Sequence, residues 1–418
     1  MLENNNSIKV ITFGCRLNTY ESEVMKKHAQ EAGLDNLVIV NTCAVTGEAE
    51  RQARQAIRKA RRENPDSRIV VTGCGAQTNT ETFAEMPEVD NLIGNDLKLK
   101  PEPWLELKEE RVQVHDIMDV TETTSYLITG FEGRDRAFVQ VQNGCNHRCT
   151  FCIIPYGRGN SRSVTIENII EQCQKLVDGG YQEIVLTGVD ITSYGDDLVN
   201  TPSLGSMVKA VLKAVKGIER LRLSSLDPSE IDDDLWELIE KDPRLMPHLH
   251  LSMQSGDDMV LKRMKRRHSR QDIIDVCAKA RKLRPDMAFG ADIIAGFPTE
   301  TDEMFENTYK LVKECDITFL HIFPYSARKG TPAAKMPQVK GDIRKNRAKL
   351  LRDLGDINLQ NHLQSLEGKT LKVLAENNRK ARTEYFSEVV IDKDVEPGKI
   401  AKAKIVSVKK GYLEGKVL

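Results

Sequence analysis

The chain has 418 residues, 40% hydrophobic and 29% charged, with a formal net charge of −1. That length provides for roughly two to four domains, and the near-neutral balance removes overall basicity as a sign of a nucleic-acid partner. No apolar run is long enough to span a bilayer and no signal-peptide pattern opens the chain, so a cytoplasmic protein with no membrane partner is expected. Nine cysteines, an odd number in strand-end and metal-type spacings, argue for a reducing compartment and against a disulfide framework.

In chain order, Cys15, Cys43 and Cys74 each follow a short apolar, β-branched run, at 9–14, 37–42 and 68–73. Polar helical stretches follow at 19–32, 46–63 and, less clearly, 78–86. This alternation predicts a parallel doubly wound sheet, in which ligands sit outside the carboxyl ends of the strands. Three cysteines placed just past strand ends can converge there. The bland alternative is three buried cysteines in a core. Cys173, Cys277 and Cys315 lie in helix-patterned segments and read as core.

The next feature is Cys145-Asn146-His147-Arg148-Cys149-Thr150-Phe151-Cys152, a CxxxCxxC loop. It supplies three thiolates where a cubane cluster has four irons, whereas filled ferredoxin clusters and structural zinc take four ligands, so one iron is left open. With Phe151 before the last cysteine, the loop resembles that of the radical S-adenosylmethionine superfamily. The resemblance implies that the amino and carboxylate groups of S-adenosylmethionine chelate the open iron, and that an electron from the cluster cleaves the sulfonium to a 5′-deoxyadenosyl radical.

Between about 135 and 365 the pattern repeats as strand–helix units, with strands at 137–141, 183–187, 220–224, 248–252, 289–294 and 318–322. Six such units predict a partial parallel (β/α)6 barrel, open enough for a macromolecular substrate at its carboxyl-end face. The cysteine loop follows the first strand and lies on that face. Candidates for holding the cofactor are Gly188 and Asp190 after the second strand, Ser252 and Gln254 after the fourth, and Arg266 as a bidentate partner for a carboxylate. The segment from Gly290 to Gly296, with Ile294, resembles the superfamily's adenine-side strand. Polar strand ends also serve as helix caps. Arg158 and Arg162, after the loop, suit either an anionic cofactor or RNA phosphate, or a solvated surface.

From about Leu366, strands at 370–376, 386–391, 400–408 and 411–417 predict a small antiparallel β-barrel with more Lys and Arg than Asp and Glu. It resembles the TRAM-like RNA-binding module of tRNA-modifying enzymes, and could equally be a plain β cap. The expected domains are 1–125, 131–365 and 367–418.

Taken together, Thr12-Phe13-Gly14-Cys15-Arg16-Leu17-Asn18, Asn41-Thr42-Cys43, Thr72-Gly73-Cys74 and the CxxxCxxC loop resemble the methylthiotransferase family of radical S-adenosylmethionine enzymes along the whole chain. Gly-Cys-Arg-x-Asn after the first strand resembles the branch that converts N6-threonylcarbamoyladenosine at adenosine 37 of tRNA, 3′ of the anticodon, to its 2-methylthio derivative. The resemblance implies two 4Fe–4S clusters: one on Cys145, Cys149 and Cys152, and an auxiliary one on Cys15, Cys43 and Cys74 with an iron open for sulfur. It also implies S-adenosylmethionine used both as methyl donor and radical source, with tRNA, a sulfur source and an electron donor such as a flavodoxin or ferredoxin as partners. Arg16, beside Cys15, becomes the candidate for clamping the threonylcarbamoyl carboxylate. The rivals are another branch, acting on isopentenyladenosine tRNA or a ribosomal protein, and a non-enzymatic iron–sulfur electron carrier.

Overall fold

The computed structural model describes residues 8–123 and 127–418, so the ends of the expected 1–125 unit, at 1–7 and 124–125, lie outside the described residues. The three cysteine-bearing runs become the first strands of a five-stranded parallel sheet: β1 (Ile8–Thr12), β2 (Leu37–Thr42), β3 (Arg68–Gly73), β4 (Asn91–Ile93) and β5 (Val112–Gln113). The expected helices are α1 (Arg16–Glu31) and α2 (Gly47–Glu63), while the weaker third is broken into α3 (Cys74–Thr78) and a further short helix, Thr80–Ala84. Side chains alternate across a strand, so β2 serves two layers at once. Val38 and Val40 pack with Ala53, Ile57 and Ala60 of α2, whereas Leu37 and Ile39 pack with Met25 and Ala29 of α1 and with Trp104. A strand covered on both faces reads as a continuous apolar run, which is why β2 was legible.

All six barrel strands are present. After β6 (Ala137–Gln140), two short strands, β7 (Gln142–Asn143) and β8 (Arg162–Ser163), pair antiparallel and close the base of the cysteine loop. Then come β9 (Glu183–Thr187), β10 (Arg220–Leu223), β11 (His248–Gln254), β12 (Ala288–Ala295) and β13 (Phe319–Pro324). They form two three-stranded parallel sheets, β10-β9-β6 and β11-β12-β13, bridged at Leu221–Leu245 and Leu226–Leu251. The barrel therefore stays open between β6 and β13. Helix α1 lies beside β6, its Leu17, Tyr20 and Val24 sharing a core with Ala137 and Val139. That packing brings Arg16, at the start of α1, to the barrel opening.

The helix Gly341–Ser365 runs along β13 to a closed barrel of β14 (Thr370–Ala375), β15 (Lys380–Thr383), β16 (Glu388–Ile391), β17 (Ile400–Lys409) and β18 (Tyr412–Val417). Five strands replace the expected four. The extra one, Lys-Ala-Arg-Thr, carries too few apolar residues to stand out, with only Ala381 and Thr383 buried. The pairing of β16 with β18 is parallel where an antiparallel sheet was expected. Phe386, expected inside a strand, instead sits at the β15–β16 hairpin tip with a φ of 75°.

Candidate active site

The sheet delivers its three cysteines to one corner. Gly14 and Gly73, each directly before a cysteine, hold φ values of 98° and 97°. A Cβ on Gly14 would meet Cys43 Sγ at 3.1 Å, and one on Gly73 would meet Thr42 N at 2.5 Å, so only glycine lets the strand ends turn this closely. Asn18 Nδ2 ties the turn by donating to Phe13 O at 2.7 Å and Thr42 O at 3.2 Å. Thr42 Oγ1 donates to Thr72 O at 2.6 Å and accepts from Ala76 N at 3.0 Å. Cys15 is exposed; Cys43 and Cys74 are buried.

The CxxxCxxC loop is anchored by Thr150, whose N donates to Met264 O at 3.0 Å and whose Oγ1 donates to Arg263 O at 2.8 Å. Both triads offer N–H donors to sulfur: Asn95 Nδ2 to Cys74 at 3.3 Å, Arg266 Nη1 to Cys149 at 3.7 Å, and the backbones of Val45, His147 and Ile154 to Cys43, Cys145 and Cys152. Such donors stabilise a metal-bound thiolate. Burial pushes the Cys43 and Cys152 thiols up to about 12 each, so in these positions a charged sulfur calls for a cation against it. Among the described residues, the groups with three ligand atoms within 4.8 Å of one another are Cys145–His147–Asp190 and His250–Asp292–His321. Neither cysteine triad is among these groups.

The N-terminal cysteine corner packs on the segment that follows the loop. Ile153, just past the loop, packs on Ala44 and Cys74, and a Cβ on Gly157 would meet Cys74 Cβ at 3.2 Å. Behind this contact lies a charged group that sequence reasoning missed. Glu21 Oε2 accepts from Lys98 Nζ at 2.5 Å, and Glu21 Oε1 accepts from Arg158 Nη1 at 2.8 Å, with all three side chains buried. Arg158 Nη2 also donates to Asn18 Oδ1 at 2.6 Å. Arg158 and Arg162 are thus neither surface groups nor free for phosphate, since both are buried and Arg162 Nη2 donates to Arg158 O at 2.9 Å. A lone Glu or Lys in a helical pattern carries no signal of such pairing.

The cofactor candidates surround the loop unevenly. Asp190 Oδ2 lies 3.5 Å from Cys145 Sγ and accepts from Ser193 Oγ at 3.0 Å. Gly188 does permit a close approach, but of Gln142, whose O would lie 2.8 Å from an added Cβ. Ser252 and Gln254 are half-buried with side chains that make no hydrogen bond among the described residues, and Gln254 holds a φ of 63°. Phe151 and Ile294 pack against the same buried cluster, the Phe151 ring edge-on to Phe297 at 6.5 Å. Arg266, expected as a bidentate partner for a carboxylate, has its Nη2 engaged by Asp227 Oδ2 at 2.6 Å and Ser252 O at 3.0 Å and its Nη1 facing Cys149, while its buried Nε has no partner among the described residues. Although burial works against it, the hydrogen bond from His268 and the charge of Arg266 hold the Asp227 carboxyl well below the usual range. Cys173, Cys277 and Cys315 are buried as expected, the last two hydrogen-bonded to each other.

Inside the barrel, β11, β12 and β13 present His250, Asp292 and His321 on one wall, with His250 Nε2 and His321 Nδ1 at 3.0 and 3.3 Å from Asp292 Oδ1. Arg16 enters this space from the opening. Its guanidinium makes no hydrogen bond or ion pair among the described residues; burial pushes its pKa down, as do the charges of Arg136 and Arg222, opposed by Glu183 and Asp292.

The chain matches the Radical SAM superfamily over residues 139–312 and the family UPF0004, described as uncharacterized, over residues 7–94. It is 53% identical to the threonylcarbamoyladenosine tRNA methylthiotransferase MtaB of Rickettsia prowazekii (strain Madrid E), covering 99% of this chain and 98% of that one. Identity is 36% to the MtaB of Bacillus subtilis (strain 168), over 97% and 94% of the two chains. Among solved structures, the radical S-adenosylmethionine methyltransferase TsrM from Kitasatospora setae, with cobalamin and a 4Fe–4S cluster bound, superposes with a TM-score of 0.57 at 16% identity, over 78% of this chain and 76% of that one. At that identity the likeness is one of fold.

Proposed function

The chain belongs to the methylthiotransferase family of radical S-adenosylmethionine enzymes, and from that premise we propose that it converts N6-threonylcarbamoyladenosine at position 37 of tRNA to its 2-methylthio derivative. The observation that carries this reading is the packing of the N-terminal cysteine corner on the segment that follows the CxxxCxxC loop, Cys74 against Ile153 and Gly157, beside a guanidinium that makes no hydrogen bond or ion pair among the described residues. An aromatic C–H is too weakly acidic for proton abstraction, so the task falls to the cofactors while the protein supplies position and electrostatics.

Cys145, Cys149 and Cys152 hold the radical-forming cluster, and Cys15, Cys43 and Cys74 the auxiliary one. When bound, the clusters and S-adenosylmethionine supply the methyl group, a sulfur-binding iron and the hydrogen-abstracting radical. The chain's own groups do the rest. Ser252 and Gln254 offer unused polar side chains to S-adenosylmethionine, Phe151 and Ile294 shape its adenine side, Asp190 and Gly188 border it, and Arg266 braces Cys149. The functional units are residues 1–125 for the auxiliary cluster, 131–365 for radical chemistry and 367–418 as a TRAM-like RNA-binding barrel. A small electron carrier such as a flavodoxin or ferredoxin and a separate sulfur source serve it in the cytoplasm; no helix among the described residues is long and apolar enough to cross a membrane. Nucleoside mass spectrometry of tRNA from a deletion strain tests the assignment: the 2-methylthio derivative should vanish, its precursor should accumulate, and ribosomal peptides should be unchanged.

Arg16 supplies the substrate test. A threonylcarbamoyl group carries a carboxylate that an isopentenyl group lacks, and an unpaired guanidinium can clamp it with two charge-assisted hydrogen bonds. Arg16→Gln should depress turnover by roughly tenfold or more without loss of iron. Normal turnover, or loss of the auxiliary cluster, would make Arg16 a scaffold residue.

RNA binding has its own signature. On the C-terminal barrel Lys372 lies opposite Lys402, and Lys404 opposite Lys416, all four exposed and without an acidic partner among the described residues. Like charges paired across strands cost stability, and an anionic backbone laid over them repays that cost. Changing Lys402, Lys404 and Lys416 to Gln should weaken tRNA binding and flatten its salt dependence by about 0.9 log–log units per lost phosphate contact. An unchanged salt slope would reduce the barrel to a structural cap.

A further inference from the structure

Phe386 occupies the hairpin tip between β15 and β16 with a φ of 75°, a left-handed backbone that a bulky residue keeps only when its surroundings hold it there. The surroundings are specific. The ring stacks on His248, with centroids 5.6 Å apart and planes at 30°. Four guanidiniums approach the same ring, those of Arg16, Arg136, Arg222 and Arg382, at 5.8, 5.0, 5.1 and 5.3 Å. The hairpin is fixed to the radical barrel by Arg222, whose Nη2 donates to Thr383 O at 2.9 Å, and by Arg220, whose Nη1 donates to Arg382 O at 3.2 Å.

Three of the four cations have carboxylates. Arg222 Nε lies 2.8 Å from Glu183 Oε1, Arg136 Nη2 lies 3.1 Å from Glu376 Oε1, and Arg382 Nη2 lies 3.1 Å from Glu388 Oε2. Arg16 makes no ion pair of its own among the described residues, and the ring is its contact. Repulsion from Arg136 and Arg222 would drive its long, flexible side chain away; the charges of Glu183 and Asp292 and the seat over an aromatic face in a partly desolvated setting oppose this. The ring also leads through His248 to the His250–His321–Asp292 wall, so it stands where the barrel interior meets the opening.

We propose that the C-terminal barrel forms one wall of the nucleoside pocket and that Phe386 is a positioning residue, its ring holding the Arg16 guanidinium where it meets the carboxylate of the substrate's modified base. The proposal rests on the reading of Arg16 given above and extends it: substrate choice depends on the module otherwise assigned to RNA affinity.

Binding of two anticodon stem-loops to the cluster-loaded enzyme, one bearing threonylcarbamoyladenosine and one plain adenosine, tests it. Phe386→Leu should weaken the modified stem-loop by about tenfold and the plain one by less than about twofold, as loss of one charged hydrogen-bond geometry would. Phe386→Tyr keeps the ring face and should preserve discrimination. The double variant with Arg16→Gln should discriminate no worse than Arg16→Gln alone, because the two residues act as one unit. Iron content and melting temperature report the fold, and Phe386→Met, which keeps the volume without the ring, replaces the Leu variant if that one fails to fold. A Leu or Met variant that discriminates normally while Arg16→Gln does not overturns the proposal, as does a Tyr variant as weak as Leu or an additive double variant. An Arg16→Gln enzyme that discriminates normally instead overturns the reading of Arg16 itself.

Discussion

Alanine at Cys15, Cys43 and Cys74 together should yield an enzyme with about half its iron that still cleaves S-adenosylmethionine on reduction and forms no methylthio product. The reason is that the CxxxCxxC loop is held from its own side. Thr150 is fixed to Met264 and Arg263, Cys149 faces Arg266, and the loop's base is closed by the β7–β8 pair. None of these contacts uses the N-terminal sheet, and alanine keeps the Cβ of Cys74 against Gly157. The reciprocal variant, alanine at Cys145, Cys149 and Cys152, should keep the other half of the iron and lose cleavage altogether. Iron and sulfide content measured beside anaerobic cleavage assays checks both. If the first variant lost cleavage with its remaining cluster intact, the division of labour between the triads would be wrong.

The buried Glu21–Lys98–Arg158 group should give the largest stability effect. Glu21→Ala removes the shared carboxylate and strands two cations with little or no exposure, a change that costs about 3–5 kcal/mol when one partner of a buried pair is taken away. Replacing all three together by Met should be far milder, because no uncompensated charge is left in the interior. Burial raises the Glu21 pKa, but Arg158 and Lys98 outweigh it and the net shift is downward. A carboxylate depressed in the folded state stabilises at neutral pH, and the contribution is lost as pH falls through its folded value, below the ordinary carboxylate range. Denaturant melts at pH 7 and in mild acid, comparing wild type with the single and triple variants, measure this. A Glu21→Ala protein as stable as wild type would show that apolar packing alone joins α1 to the cluster loop.

What the sequence determined by itself was chemistry carried by short-range spacing. CxxxCxxC is a local loop, and Cys15, Cys43 and Cys74 could be read because each follows a short β-branched run, which at β2 and β3 is buried on both faces and at the edge strand β1 is not. The six barrel strands were legible from the same short apolar runs, buried throughout in β6, β9 and β10 but largely uncovered in β13. The charged and aromatic partnerships were decided only in three dimensions. Glu21 meets Arg158, Arg16 meets Phe386, and Arg266 meets Asp227, each between segments far apart in the chain. Periodicity records which face of an element is buried, not which distant side chain lies opposite, and a single Phe at a hairpin tip has no period at all. Even β15 escaped notice, since closure of the barrel, rather than its own propensity, makes Lys380–Thr383 a strand.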